Sequence, residues 1–455
     1  MATGADTARR ARKVAEAFGA GTFPEAVDQF TPDGRDRVVA SFPSEFGEQD
    51  DAAAALEGYW RGLYAQYGDF EAVGDVTLVA DSSVGGDIDG DAGEDAVESD
   101  ARHRAEVRLD FAEGSETVTV DLDADGVVNL TLSPSYEVPD YVDRDAFTER
   151  DAVVDAGDVT LDGLLTVPDG ERRVPGVVLV HGFGTHDPDG TAGATRILAD
   201  LAHGLASEGI ASLRYAKRLQ DHEVPAVERT LDRVVTDDAV AAVSTLADAG
   251  GVDPDHVFVV GHSQGGLCAP RIAQRHGGVA GVVALDPPAD PVPDPEDMVH
   301  TRFMLALDGD LDEEQQAVLD SRRDDFRRIA AREIDPEETV AGVPGAWHLS
   351  HHDYDPLGTA CALDVPSFVL KSGRADRELQ TDLFEALRAD YETWRDADLP
   401  PGSRVEFYDD ACHYFQRGPT PVTPMRLYVG GNVAPHVLDD VTEWIHGVAP
   451  TAERE

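Results

Sequence analysis

The chain contains 455 residues, a length typical of two or three domains. Its 37 basic and 89 acidic residues give a formal net charge of −52, which excludes proteins that need a basic face, namely binders of nucleic acid and of anionic membrane surfaces. Hydrophobic residues form 42% of the chain, so the acidity does not indicate wholesale disorder. Lysine occurs only at Lys13, Lys217 and Lys371, and the other positive side chains are arginines.

Residues 1–132 are predicted to form a small α+β domain. Apolar residues recur at helical spacing in Ala8–Phe18 and Ala52–Tyr67. Strand-like runs follow at Asp75–Val79, Arg104–Phe111, Thr117–Leu122 and Val127–Leu132. The acidic loop 81–100 between the first two runs lacks the spacing of a calcium-binding loop. Helices followed by an antiparallel meander favour an α+β domain.

After a linker at 133–145, a second domain is predicted over residues 146–449 from the alternation of strands and helices. It begins with an antiparallel strand pair within Ala152–Val167. Further strands are predicted at Val174–Val180, Ala211–Tyr215, His256–Val260 and Val279–Leu285, and helices at Arg196–Ser207, Arg229–Ala247 and Gly265–Arg275. Valine-rich strands are typical of a parallel sheet covered on both faces, so we expect a doubly wound α/β sheet.

An insertion at about 288–358 interrupts this alternation. It contains helical segments at Arg302–Leu307 and Glu313–Arg332 and ends in a predicted loop at Gly342–Pro356. Because roughly 70 residues are too many for a plain connection, we expect a helical cap over one edge of the sheet. The alternation then resumes with strands at Ser367–Leu370 and Arg404–Tyr408 and helices at Thr381–Trp394 and Pro435–His446.

The strongest chemical signal is the segment Gly261-His262-Ser263-Gln264-Gly265-Gly266, which lies between a predicted strand and a predicted helix. This is the context of a nucleophile elbow, in which the residues two before and two after a strained serine must have almost no side chain. We therefore interpret Ser263 as a nucleophile and Gly261 and Gly265 as the elbow glycines. The alternative is a glycine-rich helix start with a capping serine.

A serine nucleophile also needs two amide donors for the oxyanion. One is expected to be the backbone N–H of Gln264, and the other comes from the loop His181-Gly182-Phe183-Gly184 after a predicted strand. We assign the second donor to Phe183, with Gly184 as the alternative. His181 can also be a structural histidine at the end of its strand.

The base and its orienting carboxylate are expected in the chain order serine, acid, histidine. His413 follows the last predicted strand and is the candidate base, whereas His436 and His446 belong to the terminal helix. Asp376 follows the strand Ser367–Leu370 and is the candidate carboxylate. Its rivals, Glu378 and Asp382, fit better as caps of the next helix.

No metal or organic cofactor is expected. The cap residues His348, His351, His352 and Asp353 are not accompanied by a second pair of ligands, and we expect a polar lid surface there instead of a metal site. The cysteines Cys268, Cys361 and Cys412 have neither disulfide nor zinc spacing. A secretory signal and a membrane span are not apparent in the sequence, so we expect a cytoplasmic protein.

Residues from about Ala146 to Val448 resemble the α/β-hydrolase superfamily and, within it, the dienelactone-hydrolase-related and cinnamoyl or feruloyl-esterase-like serine hydrolases. The segments that carry the likeness are the elbow, His181–Thr191, Leu213–Arg218 and Gly373–Asp376. Dienelactone hydrolases proper use a cysteine nucleophile, so Ser263 favours the esterase branch. A glycine often found three residues before the catalytic histidine is Asp410 here.

Two further resemblances concern the rest of the chain. The first ~130 residues resemble the small cone-shaped SnoaL or nuclear-transport-factor-like domain that precedes some of these hydrolases. The acidic, lysine-poor composition resembles that of cytoplasmic proteins of extreme halophiles, in which molar salt screens the self-repulsion of a highly charged chain.

The resemblance implies carboxylic ester hydrolysis with Ser263, Asp376 and His413 as the catalytic triad. A serine peptidase, amidase or thioesterase is an alternative because the same groups cleave amides and thioesters, and a non-catalytic protein that binds a small ligand is an alternative of another class. The expected partner is a small-molecule ester, and self-association stays open. Candidate pocket residues are His181, Gly184, Phe303, Trp347 and Tyr354.

Overall fold

In the computed structural model, the described residues are 4–43, 49–79, 103–292 and 294–449. They divide into two units: one contains residues up to 136 together with 423–431, and the other contains 137–422 and the residues from 432 onward. The acidic loop predicted at 81–100 lies outside the described residues. Within the described chain, no helix is both long and apolar enough to cross a bilayer.

The first unit combines helices with an antiparallel sheet. Its helices are α1 (Gly4–Gly19), α2 (Phe23–Val27), α3 (Pro32–Ala40) and α4 (Ala52–Tyr67). Its strands β1 (Phe70–Val79), β2 (His103–Phe111), β3 (Gly114–Leu122) and β4 (Val127–Leu132) pair in that order. Alternate residues of β2, such as Val107 and Leu109, are buried against apolar residues of α1 and α4, including Val14 and Leu63. The alternating pattern therefore places one face of the sheet in the core.

The second unit is built on an eight-stranded mixed sheet. Its strands are β5 (Phe147–Asp155), β6 (Thr160–Pro168), β7 (Val174–Val180), β10 (Ala211–Tyr215), β11 (Val252–His262), β12 (Gly281–Leu285), β15 (Ser367–Ser372) and β16 (Arg404–Tyr408), with β8 (Thr191–Ala192) and β9 (Thr195–Arg196) forming a separate two-stranded ribbon. The order in the sheet is β16-β15-β12-β11-β7-β10-β6-β5. The six strands from β16 to β10 are parallel, and β6 and β5 pair antiparallel at one edge. This confirms the predicted fold class.

Helices cover both faces of this sheet. They are α5 (Ile197–Ser207), α6 (Arg218–Asp221), α7 (Asp237–Ala247), α8 (Gln264–His276) and, further along the chain, α13 (Thr381–Arg395) and α15 (Pro435–Val448). Along β7, Val177 and Leu179 pack with α5 and α15, whereas Val178 and Val180 pack with α7 and α8. A strand buried on both sides needs apolar residues at successive positions, which explains the valine run.

The insertion between β12 and β15 forms a helical cap. It contains α9 (Val299–Leu305), α10 (Glu313–Ala330), the ribbon β13 (Thr339–Val340) and β14 (Val343–Pro344), α11 (Gly345–His352) and α12 (Pro356–Cys361). The predicted loop at Gly342–Pro356 is wrong, because α11 occupies most of it. This helix is too short for a clear periodic signal, yet Leu349 packs against a small cap core that contains Ile329 and Val340.

Three further differences concern short or irregular elements. The predicted helix Arg229–Ala247 is a π-helical turn at Asp232–Thr236 followed by α7. The helices α2 and α3 are absent from the prediction, although each has a proline in its first turn. The third is α14 (Met425–Val429), which is preceded by Pro424 and lies in the segment 423–431.

The segment 423–431 belongs to the core of the first unit, although it lies far along the chain. Met425 and Val429 are buried in the same apolar cluster as Leu63. The Arg426 guanidinium donates a hydrogen bond to the carbonyl of Ala65 at the end of α4. The second unit is therefore interrupted by residues 423–431, whereas the sequence predicted one continuous domain over 146–449.

Candidate active site

Ser263 stands at a sharp turn between β11 and α8. Its φ of 54° and ψ of −115° lie outside the backbone regions that residues other than glycine ordinarily adopt. The turn is held because the amide of Ser263 donates to the carbonyl of Leu285 at 2.8 Å. A strained turn of this kind, between a strand and a helix at the carboxyl edge of the sheet, is the backbone geometry of a nucleophile elbow.

The two elbow glycines have no room for a side chain. A Cβ on Gly261 would lie 2.2 Å from the carbonyl oxygen of Gly265, and one on Gly265 would lie 2.3 Å from that of Val180. Both contacts are with backbone atoms, which cannot move without opening the sheet or the helix. The glycines at these two positions are thus required by close packing of strand, helix and turn.

His413 is bound by Asp286, a residue that the sequence analysis did not select. The Nδ1 atom of His413 donates to Oδ2 of Asp286 at 2.5 Å. In the sheet register, His262 of β11 is opposite Leu285 of β12. Ser263 and Asp286 directly follow the ends of these adjacent parallel strands, so they stand side by side at the carboxyl edge of the sheet. His413 approaches this pair from the loop after β16.

The Asp286 carboxylate is buried and fully engaged. Only 6% of the residue is exposed, and its φ is 51°. Oδ2 accepts from the hydroxyl of Ser372 at 2.7 Å, and Oδ1 accepts from the backbone amide of the same residue at 3.2 Å. Oδ1 also lies 2.7 Å from Nζ of Lys371. These contacts fix the plane of the carboxylate that His413 meets.

Lys371 supplies the positive charge behind this carboxylate. Its ammonium is also 2.6 Å from a carboxylate oxygen of Asp390 in α13, and it donates to the carbonyl of Pro287 at 2.8 Å. Burial disfavours the charged forms, but the opposite charges and the hydrogen bond from His413 prevail. They hold the pKa of Asp286 well below its usual range and raise the pKa of Lys371. Both groups are therefore ionised at neutral pH.

The structure corrects the predicted role of Asp376. Its Oδ1 accepts from the backbone amides of Glu378 and Leu379, each at 2.9 Å, and Thr420 donates to Oδ2 at 3.5 Å. These backbone bonds lower the pKa of Asp376. The carboxylate closes the turn before α13, while Asp286 is the residue hydrogen-bonded to His413. Both residues follow a sheet strand, and the chain-order rule cannot distinguish them.

The segment that contains Asp376 nevertheless supports the histidine loop. The amide of Arg374 donates to the carbonyl of Ala411 at 3.0 Å, and its guanidinium donates to that of Gln416 at 2.9 Å. From the other side, Nε2 of His262 donates to the carbonyl of His413 at 2.9 Å. Burial lowers the pKa of His262 to about 3, so this ring is neutral. His262, which the sequence analysis treated only as part of the elbow, therefore helps position the loop.

The two proposed oxyanion donors lie next to Ser263. Gln264 is the first residue of α8, where backbone N–H groups have no partner within the helix and the helix dipole is positive. A Cβ on Gly182 would be 3.4 Å from Cβ of Ser263, which places the Gly182–Phe183 peptide beside the serine. Gly184, the alternative donor, has a φ of +103° that glycine adopts readily.

The predicted pocket residues have different surroundings. The Trp347 ring of α11 meets the Phe183 ring edge-on with centroids 5.2 Å apart, so it stands over the proposed oxyanion loop. His181 is buried, and its Nε2 donates to the carbonyl of Asp187 at 3.0 Å, which is the structural role weighed for it.

Tyr354 and Phe303 are packed side chains. The Tyr354 ring belongs to the core beneath α8, and its hydroxyl donates to the carbonyl of Leu267 at 2.7 Å. Tyr354 is therefore a core residue, and its prediction as part of the pocket wall is wrong. Phe303 is 6% exposed and lies beneath the Arg302 guanidinium, whose central carbon is 4.8 Å from the centre of the ring.

The cap histidines bind backbone carbonyls. Ring nitrogens of His348, His351 and His352 lie 3.0, 2.8 and 2.6 Å from the carbonyl oxygens of Val340, Trp347 and Ile329. Among the described residues, no group of three or more histidine, cysteine, aspartate or glutamate side chains is arranged to hold a metal ion.

A serine on a strand–helix elbow, beside a histidine and a carboxylate at the carboxyl edge of a mostly parallel sheet, is the arrangement of an α/β hydrolase. A family model described as the alpha/beta hydrolase family matches residues 177–417, just over half of the chain. The chain belongs to this family.

Individual relatives are known as esterases. Esterase EstD of Thermotoga maritima is 29% identical over 398 residues, which cover 86% of this chain and 87% of EstD. Among solved structures, Est1E from Butyrivibrio proteoclasticus is 16% identical, covers 66% of this chain and 99% of its own, and has a TM-score of 0.41. An esterase of Pyrobaculum calidifontis is 15% identical, covers 67% and 87%, and has a TM-score of 0.40.

Proposed function

We propose that the protein is a serine hydrolase of carboxylic esters and that its triad is Ser263, His413 and Asp286. The observation that carries the proposal is the 2.5 Å hydrogen bond from His413 to a buried, ionised aspartate that directly follows the strand next to the strained serine. The side chain of His413 is 48% exposed, so a substrate can reach it.

The tautomer of His413 determines its role. Because Nδ1 donates to Asp286, Nε2 carries the lone pair and can accept the proton of the Ser263 hydroxyl. The serine oxygen then attacks the ester carbonyl, and His413 returns the proton to the leaving alcohol. Water attacks the acyl-enzyme in the second half of the reaction, again with His413 as base.

Asp286 and the two amides stabilise the charges that develop. The carboxylate faces the imidazolium that forms on His413, and the amides of Gln264 and Phe183 receive the oxyanion. Ester substrates are favoured over amides because the similarity to EstD extends over most of both chains.

We also propose that the enzyme operates at high salt. A net charge of −52 is strongly self-repelling in dilute buffer. At molar salt the screening length falls to roughly 3 Å, and the repulsion between surface carboxylates is largely removed.

The experiment is hydrolysis of p-nitrophenyl esters of several acyl lengths at low and molar salt, with Ser263→Ala as the matched variant. We expect ester cleavage that increases with salt and is lost in Ser263→Ala, together with fluorophosphonate labelling that peptide mapping assigns to Ser263. Cleavage of aminoacyl amides or acyl thioesters with no cleavage of esters would replace the ester assignment. Absence of both cleavage and labelling would favour a ligand-binding protein.

A further inference from the structure

Lys217 is a buried cation next to the proposed oxyanion site. It follows β10, is 3% exposed, and its ammonium makes two hydrogen bonds. Nζ donates to the carbonyl of Gly182 at 2.6 Å and to Oε1 of Gln264 at 2.9 Å. One lysine thus joins the two chain segments that carry the proposed oxyanion donors.

The first contact determines the direction of an amide. The carbonyl of Gly182 and the N–H of Phe183 belong to one planar trans peptide, so they point in opposite directions. Lys217 holds the carbonyl from the core side, and the N–H of Phe183 consequently faces away from the lysine. The peptide itself lies beside Ser263, as the 3.4 Å approach of Gly182 shows.

This loop needs such a restraint. Gly182 and Gly184 flank Phe183, and Gly184 has a φ of +103°. Glycines on both sides let the peptide approach the serine closely, but they also allow it to rotate more freely than other residues would. A hydrogen bond from a buried ammonium removes that freedom before substrate arrives.

The second contact acts on the other donor. Because a lysine ammonium has donors only, the Gln264 atom that faces it must be the amide oxygen. Gln264 is buried, with 6% of the residue exposed, and the end of its side chain is held by this hydrogen bond. Its backbone N–H, the first of α8, is thereby fixed in relation to the Gly182–Phe183 peptide.

We propose that Lys217 is a positioning residue that holds the amides of Phe183 and Gln264 at the spacing an oxyanion requires. The inference deepens the proposed function and rests on it. Amides held in this way stabilise the negatively charged tetrahedral intermediate more than the neutral ester, so Lys217 acts on the rate of the reaction more than on substrate binding.

Lysine use in the chain agrees with this role. Of three lysines, Lys13 is exposed in α1, whereas Lys217 and Lys371 are both buried next to proposed catalytic groups. Apart from the exposed Lys13, a chain that carries its positive charge on arginine has lysine only at these two buried places. An ammonium is a compact charge with three donors, whereas the planar fork of arginine is larger and directs its donors differently.

The test compares Lys217→Met and Lys217→Arg with wild-type protein in steady-state ester hydrolysis, with Lys13→Met as the matched exposed control. We expect kcat to fall about 10- to 100-fold in both Lys217 variants, with KM changed less than about threefold. Inhibition by a trifluoromethyl ketone, which forms a tetrahedral adduct on Ser263, should weaken by the same factor as kcat/KM. Lys13→Met should resemble wild type.

Other outcomes separate the two proposals. Wild-type kcat in folded Lys217→Met, or a rise in KM alone, would overturn the positioning role while leaving the esterase proposal intact. An inactive wild type, or an active Ser263→Ala, would overturn the esterase proposal itself. If Lys217→Met does not fold, Gln264→Met gives the second measurement, since it keeps the lysine and the backbone amide but removes one contact, and an unchanged kcat there would contradict the inference.

Discussion

The two buried lysines of the second unit occupy opposite electrostatic environments. Lys371 lies between the carboxylates of Asp286 and Asp390, and these charges raise its pKa despite burial. Lys217 bonds to two neutral oxygens, and burial lowers its pKa from 10.5 to about 7, with Cys268 and Asp238 opposing the shift only in part. The same side chain is thus a permanent counter-ion at one place and a weakly held cation at the other. The partner atoms, and not the depth of burial, make the difference.

The largest expected effect comes from substituting Asp286, whose carboxylate is paired with Lys371. In Asp286→Asn, the imidazole of His413 loses its anionic acceptor and the control of its tautomer, so kcat should fall about 1,000- to 10,000-fold. Asp376→Asn is the matched control and should keep kcat within about threefold, because that carboxylate bonds to backbone amides. Steady-state ester hydrolysis measures both. The reverse ranking would return the orienting role to Asp376.

A second expectation concerns stability. Lys371→Met leaves two carboxylates facing each other without a cation, and the free energy of unfolding should fall by about 3–5 kcal/mol. Lys217→Met leaves two neutral acceptors unpaired but removes a buried ammonium, and its loss should be about 1–2 kcal/mol. Denaturant unfolding at neutral pH and molar salt gives both values. Equal losses would contradict the contrast between charged and neutral partners.

The pH dependence of stability should have opposite signs at the two lysines. For Lys217 the unfolded chain holds the proton more tightly, so the stability of wild type relative to Lys217→Met should rise from about pH 7 to pH 10, by at most about 1.4 kcal/mol per pH unit. For Lys371 the folded chain, and not the unfolded chain, holds the proton more tightly. The stability of wild type relative to Lys371→Met should therefore stay level up to about pH 10 and decline above it. Unfolding curves recorded at each pH measure these differences. If both stability differences changed with pH in the same direction, the proposed contrast between Lys217 and Lys371 would be wrong.

The smallest expected effect concerns His262, which holds the histidine loop from the elbow side. His262→Phe keeps a ring but removes the hydrogen bond to the carbonyl of His413, which is worth about 1 kcal/mol. We expect kcat to fall about fivefold with an unchanged pH profile between pH 5 and 9, because the native ring is already neutral there. A shifted profile would mean that His262 titrates during catalysis.

Local sequence patterns predict the parts of the fold that local physics determines. The run Val174–Val180 coincides with strand β7 because a strand covered on both faces is apolar at successive positions. The predicted strands Ala211–Tyr215 and Arg404–Tyr408 also coincide with β10 and β16, although both contain charged residues. The elbow is equally local, since its strand, turn and helix lie within some 25 residues.

The carboxylate partner of His413 could not be assigned in this way. Asp286 and Asp376 both follow a strand and both precede His413 in the chain. What distinguishes them is the register of β12 against β11 and the buried Lys371 behind Asp286, which are contacts between distant segments. A usable signal was present, because Asp286 follows directly on the strand Gly281–Leu285, whereas Asp376 comes four residues after β15.

The segment 423–431 has a consequence for the ancestry and engineering of this chain. Met425 and Val429 are shaped to fit a core whose other members lie in the first 132 residues. A recombinant that replaced only the N-terminal part of the first unit would keep the nine residues 423–431, which pack against a core that is no longer present. The second unit expressed alone, as the continuous chain from residue 137 onward, would expose Met425 and Val429, which are buried in the intact chain. A chimera that exchanges the first unit therefore has to replace residues 423–431 together with the N-terminal part.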